Sequence, residues 1–116
     1  MTVSKIKALF ALLFGGISGV VKCVLEAFNT QILSKIPNQE TGAKYIKDAR
    51  AVYALLRAIM ENHADDLSEK RKESLTKILS AIEELTKALE DFKIEADELD
   101  AIVEKVKDAI DTFKKN

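Results

Sequence analysis

Acid–base chemistry in this chain would fall to His63, its only histidine. Asp65 and Asp66 follow, and a neighbouring carboxylate can orient an imidazole as a general base. However, His63 continues the apolar seam of a helix, which predicts a ring packed at the end of the core with one nitrogen hydrogen-bonded. Di-iron bundles need Glu-x-x-His pairs, and Met60 stands where that glutamate would be. We therefore predict no catalytic residue and no metal site at His63.

Three other groups of residues are candidates for a calcium site, a nucleic-acid contact and a reactive thiol, and the sequence supports none of them well. The acids of residues 95–100 lack the glycine that a calcium loop needs at its sixth position, so a solvated helix start is the better interpretation. The run Lys70-Arg71-Lys72 has no interleaved aromatics and gives weak support for nucleic-acid binding. Cys23 lies among small and apolar neighbours, as a packing residue would. We expect neither a cofactor nor nucleic acid as a ligand, and we predict that the chain is not an enzyme.

Composition fixes the class of fold. The chain has 116 residues, the length of one domain, and 47% of them are hydrophobic while 32% are charged, as in proteins that fold in water. Four glycines and one proline are too few for the turns of a sandwich or barrel. One cysteine excludes a disulfide framework within the chain. The sequence predicts a single all-α domain over residues 1–116.

Breaks in the pattern divide the chain into about four helices. Pro37 ends a first helix, and Asn38 or Thr41 can cap a second. Asp66 and Glu69 have the spacing of a capping box for a third helix. Residues 67–116 could form one long helix, but acids clustered after residue 94 favour a break there. The predicted helices are about 4–35, 41–64, 67–91 and 96–114.

The C-terminal half carries a seam of apolar residues at alternating steps of three and four. This 3.5-residue repeat predicts helices that meet at shallow angles, with heptad packing like that of a coiled coil. The C-terminal seam consists of Leu75, Ile78, Ile82, Leu85, Leu89, Phe92, Leu99, Val103, Val106, Ile110 and Phe113, with Ala96 at the step between its halves.

The first helix is the most apolar segment. Residues 8–21 are uncharged, but a membrane span needs about 20 apolar residues. Large apolar side chains fall on one half of its circumference, which indicates an amphipathic helix facing protein; we expect Phe10, Phe14, Ile17, Val21 and Phe28 to be buried. Residues 1–36 nevertheless carry four lysines against one glutamate, a net charge of +3. Membrane contact through residues 6–28 therefore stays an alternative.

Small residues recur at every fourth position of this helix. They form a small-residue ridge of Ala11, Gly15, Gly19, Cys23 and Ala27. A glycine inside a helix costs about 1 kcal/mol relative to alanine, so close approach of another helix would explain the glycines. The ridge predicts a helix contact, either with another chain or with Ala51, Ala54 and Ala58 of the second helix.

These patterns favour a non-catalytic structural or interaction protein that assembles through its helices, with itself or with a larger particle such as a phage virion. Its place would be the cytoplasm or the assembled particle. The alternative is a small membrane-active or membrane-anchored protein, similar to a holin, that inserts its N-terminal helix.

Overall fold

In the computed structural model the backbone is described for residues 2–36, 39–91 and 95–115, and the side chains for 16–36, 41–90 and 95–115. These ranges contain four α-helices and no strand. The helices are α1, Thr2–Gln31; α2, Gln39–Asn62; α3, Glu69–Asp91; and α4, Ala96–Lys115. They pack against one another, so the prediction of an all-α bundle of four helices is confirmed.

Helix α2 begins two residues before the predicted start, so Thr41 lies inside it and is not its cap. The other predicted cap, Asn38, lies with Pro37 outside the described part of the chain.

Short turns connect the first three helices. A 3₁₀ turn at Leu33–Lys35 follows α1, which ends at Gln31, four residues before the predicted end. A second 3₁₀ turn, Ala64–Asp66, lies between α2 and α3. The break expected near residue 94 falls between α3 and α4, where residues 92–94 lie outside the described part of the chain.

The cap of α3 differs from the prediction. The hydroxyl of Ser68 accepts a hydrogen bond from the backbone N–H of Arg71 at 3.2 Å, the geometry of an N-cap residue. Asp66, which the sequence pairs with Glu69 in a capping box, lies instead in the preceding 3₁₀ turn. Serine is as good a cap as aspartate, and the turn moves the start of the helix two residues along.

One hydrophobic core joins the four helices. Val21, Leu25 and Phe28 of α1 are fully buried, as is Leu56 of α2. Helix α3 lies between α2 and α4 and contacts both. Ten members of the C-terminal seam are buried in this core, and Phe92 lies outside the described residues. Burying a leucine or phenylalanine side chain contributes about 1.5 to 3 kcal/mol, so the seam supplies a large share of the stability.

Helix α1 changes direction at Gly16. Its φ of 68° and ψ of −163° lie outside the helical region, so α1 consists of two helical pieces on either side of it. Only glycine adopts this conformation readily. After the kink, Val21 and Phe28 are buried as expected and Ile17 is partly buried against the core. Phe10 and Phe14 belong to the part whose side chains the structure does not describe.

Candidate functional site

His63 lies at the surface, where α2 has ended. Its side chain is 48% exposed, and its Nδ1 is 3.5 Å from Oδ2 of Asp66. The expectation that it packs at the end of the core is wrong, because α2 stops at Asn62 and the backbone of His63 is no longer helical. The last core residue of that seam is Ile59. Among the described residues, the acidic side chain that lies beside this exposed imidazole is therefore Asp66, three residues along the same turn.

The basic run at the start of α3 makes contacts within the chain. The guanidinium of Arg71 lies over the ring of Phe113, 5.8 Å from its centroid, which joins the start of α3 to the end of α4. Nζ of Lys72 is 3.3 Å from Oε1 of Glu69. Two of the three cations therefore have partners inside the protein.

The acids after residue 94 mark the start of α4. Asp97 and Glu98 occupy its first turn, where carboxylates interact favourably with the positive end of the helix. Both side chains are exposed. Across the described residues, no group of three or more His, Cys, Asp or Glu side chains is placed to hold a metal ion.

A shallow groove of about 310 Å³ lies between α2 and α3. Charged side chains border it in pairs: Arg50 forms an ion pair with Glu90, and Nζ of Lys87 is 3.5 Å from Oε1 of Glu83. The ring of Tyr53 lines the groove between them. Each of these four charges therefore has an opposite charge beside it within the protein.

The small-residue ridge is divided by the kink. Ala11 and Gly15 precede Gly16, and Gly19, Cys23 and Ala27 follow it, so the five do not share one continuous helical register. The last three are half-buried. Whether they form a close helix contact stays a prediction.

Helix α2 has two apolar faces. The inner face, with Ala49, Val52, Leu56 and Ile59, is buried in the core. A second set lies at positions i, i+3, i+4 and i+7, the spacing of one helix stripe. We call it the α2 outer face: Ala51, Ala54, Leu55 and Ala58.

All four residues of the α2 outer face are exposed. Leu55 is 43% exposed, and no other large hydrophobic side chain in the described part of the chain is exposed. The interpretation that Ala51, Ala54 and Ala58 pack on the ridge of α1 is therefore wrong, since all three stay exposed. In the part of α1 whose side chains are described, the residues buried in the core are Val21, Val24, Leu25 and Phe28. Leu55 is absent from the predicted contact residues, although its spacing from the alanines places it on the same stripe.

In the part of the chain described, no helix combines the length and apolarity required to cross a bilayer.

The chain matches no protein-family model, no curated protein and no solved structure. With no similar protein to indicate a site, the α2 outer face is the candidate functional site because its residues are apolar and exposed.

Proposed function

We propose that this chain is a non-catalytic helical protein that acts by helix–helix assembly. Its partner is protein, either further copies of the chain or a larger particle such as a phage virion. The proposal depends on one observation, the exposed α2 outer face.

An exposed leucine alone is ordinary on a protein surface. Here Leu55 stands among three exposed alanines on consecutive turns of one helix. Alanine lets another helix approach closely, and the leucine supplies apolar area at the centre of the contact. An exposed stripe with the spacing of a core face is typical of a helix that packs against a partner.

Light scattering on protein purified without detergent tests the proposal. From about 10 µM to 1 mM we expect the mass to rise above 12.9 kDa. Leu55→Asp should lower that mass, because it buries a charge in the contact. The matched control is Ala101→Asp on the exposed side of α4, which should leave the mass unchanged.

The membrane alternative is favoured by a different observation, the kink at Gly16. It separates residues 2–15, which contain most of the uncharged run, from the piece of α1 that packs in the bundle. Membrane contact through all of residues 6–28, the alternative that the sequence leaves open, does not fit this arrangement, because Val21, Leu25 and Phe28 are buried in the core. The contact would be made by the part of this segment that precedes the kink.

Sedimentation with anionic lipid vesicles distinguishes the two functions. Under the assembly proposal the protein stays in the supernatant, and deletion of residues 2–15 does not change this. Binding to vesicles that the deletion abolishes, together with the mass of one chain in detergent-free buffer, would overturn the assembly proposal in favour of the membrane alternative.

A further inference from the structure

We infer that the partner of the α2 outer face is the same face of a second copy, with the two α2 helices antiparallel about a two-fold axis between Ala54 and Leu55. This inference rests on the proposed function and names its partner. In such a symmetric contact each residue on one helix meets the residue equally far on the other side of the axis. Ala51 therefore faces Ala58 of the second copy, and Ala58 faces Ala51.

Charge complementarity selects this arrangement. Lys47 and Glu61 are both exposed and lie on the same side of the α2 outer face, since 14 residues at about 100° each bring them within about 40° of one another. Lys47 is about 11 Å before the axis and Glu61 about 10 Å after it, at about 1.5 Å per residue. The two-fold rotation therefore places Lys47 of one copy beside Glu61 of the other, twice.

A parallel pair of the same faces lacks this feature. Its two-fold axis would run along the helices and would place both copies of Lys47 at one height and both copies of Glu61 at another, so that neither Lys47 would lie level with a Glu61. Arg50 and Arg57 lie farther to the side and have acidic partners in their own chain, Glu90 and Glu61. Nε of Arg57 donates a hydrogen bond to Oε1 of Glu61 at 3.1 Å, and this contact raises the pKa of Arg57. Glu61 thus keeps a second carboxylate oxygen for the lysine of the partner.

Leu55 lies next to the two-fold axis, so the two copies of Leu55 meet each other. They fill the centre of the contact, while the alanines allow the helices to approach. A contact made by one helix from each chain is smaller than the roughly 1,200 Å² of a standard interface, so we expect a dimer with a Kd in the micromolar range or weaker.

Charge reversal at the two positions tests the orientation. Sedimentation equilibrium of the full chain should show that Lys47→Glu and Glu61→Lys each weaken dimerisation by at least about tenfold, since each creates two like-charge contacts. The double variant restores opposite charges across the axis and should recover dimerisation. Lys77→Glu on α3, where Lys77 is 72% exposed, is the matched control and should have no effect.

A cysteine at the axis gives a second, independent readout. In a Cys23→Ala background, Leu55→Cys should form a disulfide-linked dimer on mild oxidation, because the two side chains meet. Ala101→Cys on α4 should not do so at the same protein concentration.

The outcomes separate this inference from the proposed function. If the wild-type protein associates but the double variant does not recover what the single variants lose, or neither single variant weakens association, the antiparallel α2 pair is wrong and assembly through another surface stands. If the wild-type protein has the mass of one chain throughout, the inference is overturned, and the vesicle experiment decides whether the proposed function fails with it.

Discussion

Helices α3 and α4 differ from α2 in how many apolar faces they carry. The C-terminal seam gives α3 and α4 one such face each, and its described residues are buried. Helix α2 buries Val52 and Leu56 in the same core, yet it presents Leu55 to solvent one position away.

This difference indicates what each face is for. The face of α3 and α4 is fully used by the fold, so its residues report on stability. The α2 outer face lies outside the core of its own chain, so under the proposed function its residues report on contacts with other molecules. Substitutions on the two faces should therefore separate these two roles.

Truncation of a leucine to alanine should cost far more stability in the core, at Leu85, than on the α2 outer face, at Leu55. Leu85 of α3 is fully buried, and Leu85→Ala should lower the free energy of unfolding by about 2 to 5 kcal/mol through lost burial and the cavity left behind. Leu55→Ala should change it by less than about 0.5 kcal/mol. Urea unfolding at low protein concentration, where the chain is monomeric, measures both. A large loss at Leu55 would mean that the outer face supports the fold of its own chain.

The seam was predictable because its period is a property of the residues alone. Steps of three and four from Leu75 to Phe113 require no knowledge of which helix lies opposite. The end of α2 was less predictable: the apolar step from Ile59 continues to His63, but the chain turns at that point and the histidine is left at the surface. A local turn overrode a helical pattern.

The candidate site was only partly predictable. The sequence offers Ala51, Ala54 and Ala58 of α2 as a partner for the ridge of α1, but the structure leaves all three exposed, because whether α1 covers them depends on how α1 is oriented. The sequence of α1 continues its helical pattern through Gly15 and Gly16, and nothing in that pattern indicates a backbone break at Gly16 with a φ of 68°. Glycines in a helix fit both a close crossing and a kink.

Close packing between α2 and α3 gives the next prediction. A Cβ atom at Gly42 would lie 2.5 Å from Cδ2 of Leu89, a buried member of the C-terminal seam. Gly42→Leu should therefore cost about 1 to 3 kcal/mol, because the added side chain displaces Leu89 from the core. Thermal unfolding checks this. A stability equal to that of the wild type would contradict the close approach of the two helices.

Two glycines of α1, three residues apart, should respond to alanine in opposite directions. Gly16 has open space around it but a backbone that other residues rarely adopt, so Gly16→Ala should lower stability by about 1 to 3 kcal/mol. Gly19 is half-buried in helical backbone. If the small-residue ridge contacts no other helix, Gly19→Ala should raise stability by up to about 1 kcal/mol, because alanine is the better helix former.

Urea unfolding of the two variants side by side measures these signs. A loss at Gly19 would instead support the small-residue ridge as a close helix contact, as the sequence predicts, and its dependence on protein concentration would show whether that contact is within one chain or between chains. No loss at Gly16 would contradict the kink.

Substitution of His63, in the turn between α2 and α3, should change the free energy of unfolding least. The side chain is about half exposed, and a surface pair such as His63 with Asp66 contributes about 0 to 1 kcal/mol. Its structural contacts are made by the backbone: the N–H of His63 donates to the carbonyl of Ile59 at 2.8 Å, and its carbonyl accepts from Asp66 at 3.0 Å. His63→Gln keeps both backbone hydrogen bonds, so the free energy of unfolding should stay within about 0.5 kcal/mol of the wild type. The mass measured by light scattering should not change.

Asp66→Asn is the matched control for the other member of the pair. Calorimetric titration with zinc checks the His63 side chain. Stoichiometric binding that disappears in His63→Gln would show that the turn between α2 and α3 holds a metal.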